Sequence, residues 1–126
     1  MSEGRKYDLE ERTEKFSLRV RDLCKQLKQD IINREYIIQL VRSAGSVAAN
    51  YIEANDKLGD KDLRFRIRIG KKESKETMLW LKHILTYYIK ELEDERLLLL
   101  QEAEKLIKNI CCNSQKVGRL ANTAFF

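Results

Sequence analysis

Proline is absent from these 126 residues, histidine and tryptophan occur once each, and cysteine occurs three times. The missing proline removes the strongest breaker of helices. With His83 alone and no Cys-x-x-Cys pair, neither a zinc site nor a Cys–His nucleophile assembles within one chain. Cys24, Cys111 and Cys112 are odd in number, and the adjacency of the last two disfavours both a disulfide between them and tetrahedral chelation. They read as reduced thiols. The longest strictly apolar run, Leu97–Leu100, falls far short of the roughly 20 residues that cross a bilayer. The first ten residues are rich in charge and lack the apolar core of a secretory signal. A cytoplasmic protein is therefore expected, with no membrane span, no metal and no cofactor.

What is present is 43% hydrophobic and 36% charged, too apolar for a disordered chain and weighted toward helix-compatible residues. At 14.9 kDa the chain makes one domain. Surface scaling gives such a monomer roughly 7,000 Å² of exposed surface, with about two-thirds of the unfolded surface buried, enough for a modest core. The net charge of +5 makes an anionic partner possible without naming one.

Apolar residues recur at helical spacing along the whole chain. Leu9, Phe16, Val20, Leu23 and Leu27 predict a first helix over roughly residues 8–30. Asn33 is a candidate N-cap for a second, carried by Ile37, Leu40, Ala44, Val47 and Tyr51 and ending near Asn55. Asp60 is a candidate cap for a third, running unbroken from about Lys61 to Glu91 through Leu63, Ile67, Leu81, Ile84 and Tyr88. Arg64–Ile69 alternates with period two, as a strand would, but the helical period continues on both sides and a lone strand has no partner. The chain then turns around Glu93–Glu95, and Leu97, Leu100, Ala103, Leu106 and Ile110 predict a fourth helix. The fold class is all-α, an antiparallel four-helix bundle over residues 1–113 followed by a frayed tail over 114–126.

Two helices carry polar residues where longer apolar or plain charged ones are usual. In the second, Arg42, Ser43, Ser46, Asn50 and Glu53 form a face opposite the apolar stripe. In the third, Gly70, Ser74 and Thr77 share one stripe and Glu73, Glu76 and Trp80 another. Small residues let helix backbones approach, and a carboxylate among Asn, Ser and Arg completes a buried hydrogen-bonded network. Glu53 and Glu76 would alternatively be a carboxylate pair for acid–base or metal chemistry, but helical di-metal bundles use Glu-x-x-His elements, which this chain lacks. Trp80, Tyr87 and Tyr88 lie at helical spacing and read as packing residues rather than a base-stacking platform.

The segments Asp8–Phe16, Gln39–Ala54 and Lys72–Leu81 resemble, in order and spacing, the bacterial 23S rRNA intervening-sequence proteins. The most specific element is Arg42-Ser-x-x-Ser46-x-x-x-Asn50-x-x-Glu53 joined to Lys72-Glu-x-x-Glu76-x-x-x-Trp80-Leu81. The resemblance spans about residues 8–110. It implies four-helix bundles assembling as ring-like homopentamers, many encoded within insertions in the large ribosomal RNA gene. A related branch, the accessory variability proteins of diversity-generating retroelements, implies a basic pentameric partner of a reverse transcriptase and nucleic acid. On this resemblance Arg42, Ser43, Ser46, Asn50, Glu53 and Glu76 are structural or assembly residues. The chain departs from the family pattern in lacking the proline usual near the end of the first helix and in its Arg64–Lys72 charge run.

That run is the candidate binding feature. Arg64, Arg68, Lys71, Lys75 and Lys82 fall at steps of four, three, four and seven and align along one helix face, with Arg66 and Lys72 broadening it. A homopentamer would carry about +25 and attract phosphate far more strongly than one copy. The expected function is a non-enzymatic oligomer associating with RNA or DNA backbone. The alternative is a scaffold docking a reverse transcriptase or an RNA-processing protein.

Overall fold

A computed structural model describes residues 2–56 and 59–124, with backbone alone for residues 2–8, 60 and 111–124. Its elements are α1 (Ser2–Gln26), α2 (Ile31–Ala54), α3 (Asp60–His83) and α4 (Lys90–Ala124), and no strand occurs among the described residues. The alternating Arg64–Ile69 segment is helical, as its flanks required. Each helix packs on two others, α1 on α2 and α4, and α3 on α2 and α4, closing a four-helix bundle.

The apolar stripes meet in one main core. Phe16, Val20 and Leu23 of α1 and Leu27 just beyond it cluster with Leu40 and Ala44 of α2, Leu81 of α3, Ile84 just beyond it, and Leu99, Ala103 and Leu106 of α4. Burial of a leucine such as Leu40, Leu81 or Leu106, all fully buried, contributes about 1.5–3 kcal/mol each. A second cluster, Val47, Tyr51, Ala54, Ile67 and Ile110, extends the core toward the other end of α2. Ion pairs from Arg12 to Glu102 and from Arg19 to Glu95 tie α1 to α4 at the margin. Burial pushes the Cys24 thiol up to about 12, so this sulfur sits in the core as an inert apolar group.

Five boundaries differ from the sequence expectation. The cap of α2 is Asp30, whose Oδ1 accepts from the Asn33 N–H at 2.8 Å, and Asn33 lies one turn inside. Asp60 is the first helical residue of α3, and Gly59 precedes it at φ 92°, a conformation that suits glycine because it has no Cβ. α3 stops at His83, not Glu91. The chain reverses at Thr86–Ile89, where Ile89 N–H donates to Thr86 C=O at 3.2 Å and Tyr87 and Tyr88 both take left-handed φ, 55° and 63°. Glu91, read as the end of the third helix, and Glu93, read as part of a turn, instead occupy the first turn of α4, where their charge complements the helix dipole. Finally, α4 runs to Ala124, so helical backbone continues through much of the segment expected to be a frayed tail. Without proline, nothing there removes an N–H from the helical ladder.

Asn33 explains why α3 ends where it does. Fully buried, it donates Nδ2 to the carbonyls of Lys28 (2.9 Å) and Leu85 (3.0 Å) and accepts the Leu85 N–H at Oδ1 (2.9 Å). One amide thereby satisfies backbone groups on both the α1–α2 and the α3–α4 connections, among them the Leu85 N–H and C=O that a continuing α3 would have satisfied internally.

Candidate functional site

The polar face of α2 turns inward. Ser43 and Asn50 are buried against α3, where Glu73, Ser74 and Thr77 are buried in turn. Thr77 donates to Ser43 Oγ at 2.9 Å, and Ser43 donates to the Leu40 carbonyl at 3.2 Å. Ser74 donates to the Gly70 carbonyl at 2.8 Å. Two turns of α2 beyond Ser43, Asn50 Nδ2 donates to the Ser46 carbonyl (2.9 Å) and Oγ (3.1 Å), and its Oδ1 accepts from Arg66 Nη1 at 3.2 Å. Ser43, Ser46 and Asn50 are thus joined to α3 through Thr77 and Arg66, a cross-helix network of the kind that fixes register. The glycines are not required sterically. A Cβ added to Gly70 would meet nothing within 4 Å, and one on Gly45 only Ser17 Oγ at 4.0 Å.

Arg42 closes the seam at the surface. Its guanidinium lies 3.3 Å from Glu76 Oε2 and 3.7 Å from Glu73 Oε2. Glu73 is the more buried carboxylate, and its Oε2 has no hydrogen-bond partner among the described residues. Burial first, and the neighbouring Glu76 charge second, hold its carboxyl above the usual range despite Arg42. Glu53 does not join the network. It is exposed, and no side-chain bond holds it among the described residues. Glu53 and Glu76 are therefore not brought together as a pair, and among the described residues no group of three or more His, Cys, Asp or Glu side chains could hold a metal.

The basic face divides in two. Arg64, Arg68, Lys72, Lys75 and Lys82 are exposed, Lys71 is half-buried, and none of the six is in an ion pair among the described residues. Arg66 leaves the row. Two residues beyond Arg64 it stands about 200° around the helix. It points toward α2, with its Nε buried and unpartnered among the described residues. The expectation that Arg66 broadens the basic face therefore does not hold, because its side chain is taken up by Asn50. No helix among the described residues is long and apolar enough to cross a membrane.

At the end of the bundle near Asp30 and the α3–α4 turn the aromatics part company. Trp80 stacks on Tyr36 at 6.0 Å between centroids, and both meet the His83 ring edge-on. His83 Nδ1 lies 2.7 Å from the Leu79 carbonyl. Trp80 is a packing residue, as its spacing implied. Tyr88 is fully exposed at 101%, contrary to that reading, because its left-handed backbone lifts it out of the helical register.

Comparison with curated proteins and with solved structures finds no match. Comparison with protein families does: residues 5–113 match the family described as 23S rRNA-intervening sequence protein. That span takes in all four helices as far as Ile110, the last buried core residue among the described side chains, and includes the Arg42–Glu76 seam, so the chain belongs to the 23S rRNA-intervening sequence protein family.

Proposed function

We propose that this protein is a non-enzymatic, antiparallel bundle of the cytoplasm that assembles as a ring-like homopentamer and associates through α3 with the phosphate backbone of RNA or DNA. The observation that carries the nucleic-acid reading is the row Arg64, Arg68, Lys71, Lys75 and Lys82, one face of cations with no ion pair among the described residues. Cations usually compensated on a helix surface are here left to an external anion. Self-association draws on α2. Ile31, Ile38, Val41, Gly45, Ala49 and Ile52 follow at steps of seven, three, four, four and three, and Ile31 and Ile38 are 79% and 60% exposed. A seam spaced like this packs well against another helix, and α2 spends its other faces on α1 and α3.

The test replaces Arg64, Arg68 and Lys71 together by Gln, which keeps helix propensity. Fluorescence anisotropy at two salt concentrations should show the parent binding unrelated RNA and DNA sequences within about tenfold of one another, and the variant markedly weaker with a shallower salt dependence. Circular dichroism and light scattering should show unchanged helix and mass. Equal affinities, or no parental binding at low salt, would overturn the nucleic-acid reading in favour of a scaffold for a reverse transcriptase or RNA-processing protein. A monomeric mass at micromolar concentration would overturn the assembly.

A further inference from the structure

The α3–α4 turn is built at a cost that reversing the chain does not explain. Thr86–Ile89 has the φ signs of a type I′ turn, a conformation that Asn-Gly or Gly-Gly adopts without strain. Tyrosine at each central position costs about 1–2 kcal/mol for its left-handed backbone. The structure over-determines that geometry. Asn33 holds Leu85 on one side, and Tyr87 is pinned on the other, its hydroxyl donating to Asp30 Oδ2 while Lys28 Nζ sits 5.0 Å over its ring. With Tyr87 anchored, Tyr88 is the side chain left over, presented whole to solvent.

Beside Tyr88 lies an open groove of about 690 Å³ with Leu85 and Ile84 among its apolar walls and Lys82 and Lys90 on its rim. Its acidic content is partly neutralised already. Glu93 accepts from Arg96 Nε at 3.1 Å and from Thr86 Oγ1 at 2.8 Å, which leaves Asp94 as the lining carboxylate without such a bond among the described residues. Lys82 is also the last cation of the α3 row, so the groove continues the basic face rather than standing apart from it.

We propose that this turn is a stacking platform for an unpaired nucleobase, with the Tyr88 ring taking the base face and Lys82 and Lys90 the adjoining phosphates. The proposal rests on the nucleic-acid reading above and narrows it from backbone attraction in general to a preference for single strands. An exposed aromatic beside lysines fits this ligand because every base offers a π-face, whereas a duplex keeps its bases stacked on each other and offers the turn only phosphates.

The experiment compares labelled single-stranded RNA and DNA of about 12 nucleotides with a duplex of the same length, titrated with the parent, Tyr88→Ala, Tyr88→Phe and the Arg64/Arg68/Lys71 triple Gln variant. Tyr88→Ala should weaken single-strand binding about five- to a hundredfold and leave duplex binding unchanged. Tyr88→Phe should bind like the parent, since it keeps the ring. The triple variant should weaken both ligands. If Tyr88→Ala bound single strands as the parent does, or lost strand and duplex equally, the platform would be refuted while the basic row stood, and the turn would be left for a protein partner. If the parent bound neither ligand, both readings would fall together. A parallel RNA and DNA response identifies base stacking as the common chemistry, and loss confined to RNA would overturn that assignment.

Discussion

Truncating Asn33 to alanine tests the junction that decides where α3 ends. The side chain makes three hydrogen bonds, two donated and one accepted, to backbone groups of Lys28 and Leu85. Each group left unsatisfied costs about 1–3 kcal/mol when water cannot reach it. Lys28 and Leu85 are themselves exposed, so part of the deficit is made good by solvent, and the lower end of the range applies to each group. The expected loss is then about 2–4 kcal/mol of a total that is typically 5–15. At about 2.1 cal/mol/K of unfolding entropy per residue, 126 residues convert this to a fall in Tm of roughly 8–15 °C. Urea and thermal unfolding followed by circular dichroism at 222 nm would measure it, with m unchanged if the denatured state is unaffected. Asn33→Asp is the sharper companion. It keeps an acceptor for Leu85 N–H but sets a carboxylate oxygen against two carbonyls, which raises the folded-state pKa of the new acid. A raised folded pKa means stability that recovers as pH falls toward the ordinary carboxylate range and is lost above it. A loss under about 1 kcal/mol in Asn33→Ala, with no pH dependence in Asn33→Asp, would show that the loops hold their positions without this amide.

Four further outcomes follow from the packing. Leu81→Ala, at a fully buried position facing all the other helices, should cost about 2–5 kcal/mol in urea unfolding. Asn50→Leu should cost about 1–3 kcal/mol by stranding Arg66. Exposed Glu53, changed to Ala, should melt within about 0.5 kcal/mol of the parent. Glu73→Gln should gain stability over the parent at neutral pH. The folded-state carboxyl is raised by burial and by Glu76, so its contribution is favourable below the ordinary carboxylate range and lost as pH rises through the raised value. The gain should shrink on acidification, and a constant difference across pH would refute the assignment to ionisation.

How much of this was legible beforehand depends on whether the cause was local. Helical spacing in Phe16–Leu27, Leu40–Tyr51 and Ala103–Ile110 is a property of neighbouring residues, and it placed all four helices and the greater part of the core, because burial selects one side of any helix wherever that helix docks; at the start of α4 it chose Leu97, which is exposed, where Leu99 is the buried residue. The alignment of Arg64, Arg68, Lys71, Lys75 and Lys82 follows from 3.6 residues per turn and needs no structure, whereas Arg66, counted with that face, turns out to bond Asn50 of α2. The α3–α4 reversal carried no such signal. Tyr87-Tyr88 contains no turn-forming residue, and its left-handed backbone is held by Asp30 and Asn33, more than fifty positions earlier in the chain. Likewise the polar residues of α2 announced a network but not its membership: Thr77, Arg66 and Glu73 joined it and Glu53 did not, since which side chains meet is set by how α3 crosses α2. The sequence by itself thus determined the helices, their buried sides and the basic row, all consequences of local periodicity. Only the tertiary structure decided the turn that exposes Tyr88 and the pairing along the α2–α3 seam, because both depend on contacts between residues far apart in the chain.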